Sequence, residues 1–318
     1  MKINNFLELK DFQRIIVENE KIELDDALLA RIEASFQFLK EFSKNKVIYG
    51  VNTGFGPMAQ FKISDEDKHQ LQYNLIRSHS SGIGNPLPPQ EVKACMLARL
   101  NTLSLGNSGV HQSVVNLLKE LINTDITPLI FEHGGVGASG DLVQLAHLAL
   151  VLIGEGEVFY KGERKSTKEV FETEGLQPIQ VEIREGLALM NGTSVMSGIG
   201  IVNAYKANQL TEISILLSCA INEIVQAYDD HLSASLNGTK RHYGQQKVAE
   251  KMRAHLADSK LIRKREEHLY THFEEQEKVF KDKVQEYYSL RCVPQILGPV
   301  LDTLEYTEKV LENEINSA

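Results

Sequence analysis

The chain has 318 residues, 42% of them hydrophobic, enough for a large buried core in one domain or two. Its 43 Asp and Glu against 34 Lys and Arg leave a formal charge of −9, which argues against nucleic acid or an anionic membrane surface as a partner. Three widely spaced cysteines, Cys95, Cys219 and Cys292, make no disulfide framework and point to a reducing, cytoplasmic setting, while the opening Met1-Lys2-Ile3-Asn4-Asn5 has no signal-peptide core and no apolar run reaches the roughly 18 residues of a membrane span.

In chain order the pattern predicts helix almost throughout. Leu28, Ile32, Phe36 and Leu39 recur at helical spacing. Ser64 with Asp67 three residues on resembles a capping box, and predicts a helix that carries Leu71, Leu75 and Ile76 towards His79. Pro88-Pro89 precede a helix through Val92, Met96 and Leu100, and residues 110–122 form another. Residues 142–153 read as an apolar helix, and 156–165, centred on Lys161-Gly162, as a hairpin. From Pro178 to Val293 there is no further proline, and apolar residues recur over 195–228, so long packed helices are expected there. Residues 259–283 are dense in both charge signs and read as a solvated helix face or loop. Leu297, Leu301, Leu304, Leu311 and Ile315 mark a last helix that is expected still to be running at Ala318.

The most informative segment is His133-Gly134-Gly135-Val136-Gly137-Ala138-Ser139-Gly140-Asp141-Leu142. Four glycines in seven residues forbid a regular helix and allow backbone angles closed to other residues. The loop ends at a helix start, where free N–H groups and the helix dipole favour negative charge. Asp141 there serves as an ordinary N-cap or assists proton transfer. Four further segments stand with it in order: Ile48-Tyr49-Gly50-Val51-Asn52-Thr53-Gly54-Phe55-Gly56, Asn74-Leu75-Ile76-Arg77-Ser78-His79-Ser80-Ser81-Gly82, Glu185-Gly186-Leu187-Ala188-Leu189-Met190-Asn191-Gly192-Thr193-Ser194, and Gln285-Glu286-Tyr287-Tyr288-Ser289-Leu290-Arg291-Cys292.

All five resemble the motifs of the aromatic amino-acid ammonia-lyases, the histidine, tyrosine and phenylalanine ammonia-lyase family, and the resemblance runs from about residue 20 to the end. It implies a mainly α fold, a long-helix bundle of the fumarase/aspartase-like ammonia-lyase superfamily with a smaller N-terminal loop-and-helix region. Residues 1–190 would hold the loop 133–142, and 191–318 the first part of the bundle. The family continues with further helices after the stretch that 313–318 resembles, so a missing C-terminal part is expected. The resemblance also implies a homotetramer and a prosthetic group made from the chain. Ala138, Ser139 and Gly140 would cyclise, with loss of two waters, to methylidene-imidazolone (MIO), with no metal and no nucleotide. The pairs His69/His79 and His133/His147, ten and fourteen residues apart, lack zinc-ligand spacing in any case.

By the same resemblance Tyr49 is the base for the β-proton and Tyr288 contacts the reacting amine or MIO. Asn191 and Gln285 hydrogen-bond MIO in an oxyanion-hole type of role. Arg291 binds the substrate carboxylate through its planar fork. Ser78, His79 and Gly56 line the substrate. Tyr288 and Arg291, three apart, share one face if the segment is helical.

The polar Ser78-His79 pair disfavours a plain phenyl ring, which would leave polar groups without partners. Serine-histidine resembles histidine ammonia-lyases. Asn191-Gly192-Thr193-Ser194, followed by Val195-Met196-Ser197-Gly198, is more similar to bacterial tyrosine ammonia-lyases. Val143-Gln144 after Asp141-Leu142 stands where histidine enzymes usually read Ala-Pro, and Ile76-Arg77-Ser78-His79-Ser80-Ser81 resembles flavobacterial tyrosine ammonia-lyases as well. The expectation leans slightly to tyrosine giving p-coumarate. Histidine giving urocanate is the alternative, and an aminomutase or an inactive fragment on the same scaffold is a second one.

Overall fold

The computed structural model describes residues 1–4, 6–64, 66–269, 279–280 and 282–318. They cluster into two units, 1–202 with 310–318, and 203–309. The expected division at 190/191 differs from this clustering in where the start of one long helix and the end of another are counted.

The first unit begins with β1 (Lys2–Ile3), α1 (Leu9–Ile16), β2 (Glu23–Leu24) and α2 (Asp26–Phe42). β1 and β2 pair in parallel, and the Asp25 carboxylate caps α2 by accepting from Ala27 N at 3.2 Å. Next come α3 (Lys68–His79), β3 (Ile83–Pro86), α4 (Pro89–Ser104) and α5 (Gln112–Asn123). Proline opens α4 at its first turn, where a missing N–H costs nothing. Nearly every residue of α4 is buried, and α1, α2 and α5 pack around it. The chain continues through β4 (Thr127–Pro128), β5 (Phe131–His133), α6 (Leu142–Leu152), β6 (Glu157–Tyr160), β7 (Glu163–Ser166), α7 (Thr167–Glu174), α8 (Glu185–Met190) and α9 (Ser194–Ile224). α6, apolar almost all round, lies buried among α3, α5 and α8, as a helix without a polar face must.

Small sheets tie the loops down. β3 pairs antiparallel with β5, Ile83 opposite His133 and Pro86 opposite Phe131. β6 and β7 form the expected hairpin across Lys161-Gly162, with β4 added antiparallel to β6.

The second unit contains the later part of α9, then α10 (Ala234–Gly238), α11 (Tyr243–His255), α12 (Arg265–His268), α13 (Tyr288–Arg291) and most of α14 (Val293–Ile315). Its core gathers Ile215, Cys219, Leu232, Val248, Met252 and Leu301. Part of the expected charge-dense segment 259–283 lies outside the described residues.

The helical pattern and the hairpin stand as expected, and the fold is mainly α. Two boundaries differ. α3 starts at Lys68, because Ser64 Oγ and the Asp67 carboxylate bond each other at 2.6 Å in the turn before it. α14 stops at Ile315, because the Asn316 amide turns aside to bond Leu7, accepting from its N–H at 2.9 Å and donating to its carbonyl at 2.8 Å. Among the described residues no helix is long and apolar enough to cross a membrane.

Candidate active site

The Gly-rich loop closes into a tight turn. Gly137 and Gly140 face each other as an antiparallel bridge, with Ala138 and Ser139 at the tip. Ser139 takes a left-handed φ of 64°, unusual for a residue with a side chain, and Gly140 follows at 84°. Gly140 also pairs with Gly192, whose carbonyl accepts from Asp141 N at 2.8 Å. A Cβ on Gly140 would lie 2.1 Å from the Gly192 carbonyl oxygen, so only glycine fits this contact.

Asp141 stands at the N-cap position of α6, yet its side chain does not cap that helix. Its Oδ2 accepts from Val195 N and Met196 N, both at 2.9 Å, and so caps the start of α9. One carboxylate thus ties the turn to the segment carrying Asn191. Beneath that segment lies Arg99 of α4, 3% exposed, whose Nη2 donates to the carbonyls of Asn191, at 3.0 Å, and Ala188. Burial pulls the guanidinium down to about 10, with the field of Asp141 opposing.

Three more connections gather the first unit's site residues. Gln72 of α3 donates to the Gly50 carbonyl at 3.3 Å and packs against Gly186 of α8, so it joins the Tyr49 turn to the helix leading into Asn191. His147 of α6 accepts from Gly82 N through Nε2 at 3.0 Å and sets its ring edge-on to Phe131, which holds the loop after His79 against β5. Burial holds the His147 ring below its ordinary range, consistent with an accepting, neutral imidazole. Glu185, fully buried at the start of α8, accepts from His111 N and Glu182 N, each at 2.6 Å. Burial pushes it up to about 7 although both N–H donors oppose the rise.

Tyr49 and Gly56 meet: Gly56 N–H donates to the Tyr49 hydroxyl oxygen at 3.2 Å, and the Tyr49 ring stands edge-on to Phe55. Tyr49 is 51% exposed. His79 ends α3 with Nδ1 at 2.9 Å from the Leu75 carbonyl. With the hydrogen on Nδ1 the carbonyl accepts it and Nε2 of the neutral ring is left as an acceptor, while the Ser78 hydroxyl lies 3.1 Å from the same Nδ1. The Ser78 hydroxyl bonds the same carbonyl at 3.1 Å and serves the backbone. Asn191 lies exposed in the turn between α8 and α9.

In the second unit, Tyr288 and Arg291 share one face of α13 as expected, the guanidinium 4.3 Å from the ring centre. Tyr288 is 72% exposed and Gln285 is exposed in the preceding loop. Between them Glu286 is buried, accepting from Tyr228 N at 2.9 Å and pairing with Lys283.

Sequence reasoning missed Arg99, Gln72 and His147, and gave Glu185 no role. Their only signal is a charged or polar residue inside an apolar helical run, and that does not name the distant carbonyls and N–H groups they bind.

The sequence profile described as "Aromatic amino acid lyase" matches residues 7–318. The chain is 41% identical to a probable histidine ammonia-lyase of Thermoplasma volcanium over 98% of its length and 60% of the relative's. It is 40% identical to a histidine ammonia-lyase of Caldanaerobacter subterraneus over 99% of its length and 59% of the relative's. Its fold superposes on the phenylalanine aminomutase of Pantoea agglomerans with a TM-score of 0.93 at 32% identity, covering 100% of this chain and 62% of that one. The chain spans about 60% of the length of the curated relatives it matches. With the motifs, the fold and these likenesses in agreement, it belongs to the aromatic amino acid lyase family.

Proposed function

We propose that this chain carries the MIO-forming site of an ammonia-lyase that eliminates ammonia from L-histidine to give urocanate. The observation that carries the first part is the Gly137–Gly140 turn closed on Gly192. Its left-handed Ser139 and side-chain-free Gly140 suit attack of Gly140 N on the Ala138 carbonyl carbon. One water takes the Ala138 oxygen with hydrogens from the Gly140 and Ser139 nitrogens. The other takes the Ser139 hydroxyl with the Ser139 α-hydrogen. Bonds and electrons balance without an oxidant. When formed, the group supplies an electrophilic methylene that activates the substrate towards loss of its amine.

The side chains supply the rest. Tyr49 takes the β-proton as general base, and the Gly56 N–H stabilises the phenolate that does so. Asn191 and Gln285 hold developing negative charge. Arg291 binds the carboxylate, and Tyr288 faces the amine. His79 Nε2 accepts from the substrate ring, which an imidazole N–H or a phenol O–H can satisfy and a phenyl ring cannot.

The substrate choice rests on the relatives. The slight lean to tyrosine gives way to histidine, the substrate in the names of two relatives near 40% identity. An aminomutase is the second reading, favoured by the likeness to phenylalanine aminomutase. We also propose a cytoplasmic homotetramer without metal. Leu210, Ile213, Leu217, Ile221 and Ile224 form an exposed apolar stripe on α9 of the kind that oligomer contacts cover. Sizing in solution tests it.

The deciding experiment is the intact mass. The chain should be lighter than its encoded mass by two water molecules, and Ser139→Ala should keep both waters and lose several powers of ten in turnover. Product analysis with histidine and tyrosine separates the substrates and exposes any aminomutase activity. A wild-type chain at its encoded mass would overturn the MIO reading.

A further inference from the structure

α4 is a core helix that carries polar groups, and one of them lies directly under the site. Arg99 bonds Ala188 of α8 and Asn191 of the turn after it, and Cys95 of the same helix bonds Val195 at the start of α9. The Arg99 Nη2 holds two carbonyls, those of Ala188 and Asn191. Its Nη1 lies so close to Gly192 that a Cβ there would stand 2.3 Å away. Gly192 also touches Gly140, at a distance that excludes a side chain on Gly140. The guanidinium, Gly192 and Gly140 therefore form a stack of two successive contacts, each too close to admit a Cβ. Asp141 clamps the edge of the stack through Gly192 O and the start of α9.

A stack of this kind transmits position. Remove the guanidinium and the Asn191-Gly192 peptide loses its support and one hydrogen bond, α8 loses another at Ala188, and the turn at 137–140 loses the surface that holds Gly140 N near the Ala138 carbonyl. Cyclisation needs that approach, and small displacements of reacting atoms are costly. The same movement shifts the Asn191 side chain.

We propose that Arg99 is the positioning residue of this site, pressing Asn191-Gly192 against the Ala138–Gly140 turn so that the turn can cyclise and Asn191 can act. The proposal rests on the reading of the turn given above. Arg99 touches neither substrate nor the reacting atoms and acts only through Gly192 and Asn191.

The test combines intact mass, thermal melting and steady-state kinetics on three variants of the full chain. Arg99→Met should fold, if less stably, with the fraction lacking two waters reduced at least about tenfold. Arg99→Lys keeps the charge but replaces the planar fork by a point donor. It should cyclise incompletely, and its cyclised fraction should turn over about tenfold more slowly with KM within about twofold, the pattern of a lost transition-state contact. Lys93→Met is the control. Lys93 is equally buried in α4, but its ammonium binds Asn19 and Asp125, away from the turn. It should lower the melting temperature and leave cyclisation complete.

Should Arg99→Met fail to fold, Arg99→Lys decides alone. Complete cyclisation and unchanged kcat in Arg99→Lys would overturn the proposal, and so would an equal loss of cyclisation in Lys93→Met. Such results leave the MIO reading intact when the wild type lacks two waters. A wild type at its encoded mass overturns both.

Discussion

The two units hold their candidate site residues in opposite ways. In the first, the turn at 137–140 and the segment 185–193 are fastened through the backbone by the buried Arg99, Gln72 and Glu185 and by the half-buried Asp141. Side chains that would meet substrate, such as Tyr49, are left open at the surface of this framework. In the second, Gln285 and Tyr288 stand exposed on a loop and one turn of helix, and buried Glu286 is their nearby anchor. The proposed chemistry accounts for the difference. Forming a ring from three consecutive residues requires the backbone itself to be placed, and backbone is placed by hydrogen bonds to buried partners. Binding a carboxylate or an amine requires only that a long polar side chain reach it, which an exposed helix face allows.

The comparison breaks first at Tyr49. In an active preparation, Tyr49→Phe should leave the mass deficit of two waters in place and lower kcat by about 10²- to 10⁴-fold, the usual worth of a general base. A simultaneous loss of cyclisation would show that the open side chains and the backbone framework are not separate. Arg291→Met should also leave the mass unchanged, and should raise KM by about ten- to a hundredfold, as expected for a lost charge-assisted hydrogen bond of roughly 1.5–3 kcal/mol. A normal KM would remove Arg291 from carboxylate binding.

His79→Leu is expected to shift the ratio of kcat/KM values from histidine towards phenylalanine by roughly ten- to a hundredfold, since a buried ring N–H without an acceptor costs about 1–3 kcal/mol. Competing substrates and a product ratio measure it, and an unchanged ratio would place the substrate ring elsewhere.

The smallest effect sharpens the framework side. Glu185 titrates at about 7 in the folded chain against an ordinary 4.5, with burial as the cause. Between these values the folded form keeps a proton that the unfolded form has lost, so this group's contribution to stability falls as pH rises from about 4.5 to 7, by at most about 1.4 kcal/mol per pH unit. His147 and His231, both held low by burial, work the other way and add stability as pH rises towards 6.5. The readout is therefore a difference: Glu185→Gln should melt lower than wild type at pH 5, with the gap narrowing by pH 7. A constant gap would mean that Glu185 does not titrate in this window.

Much of this was legible in residue order. The turn could be read from Gly137 and Gly140, the hairpin from Lys161-Gly162, and the Tyr288–Arg291 pairing from a spacing of three, because each is a local matter of backbone angle or helical face. The framework was not legible. Arg99 reads as an arginine on an apolar helix, and its partners lie 89 and 92 residues away in the chain. Asp141 reads as the cap of the helix it begins, whereas it caps another 54 residues on. Contacts of that span depend on how helices pack, which spacing along one helix does not report.

The polar groups of α4 have one more consequence, for the axial register of the helix. A core helix held by apolar contacts alone can ratchet by a turn of about 5.4 Å and still find comparable packing. α4 cannot. Lys93 near its start is bonded to Asn19 and Asp125, Arg99 in its middle to Ala188 and Asn191, and Asn101 near its end to Ile315 and Asn316. Sliding by one turn would strand three buried polar side chains at once, at a cost that rises together and not piecemeal. The helix has a single seating, and segments far apart in the chain inherit their alignment from it.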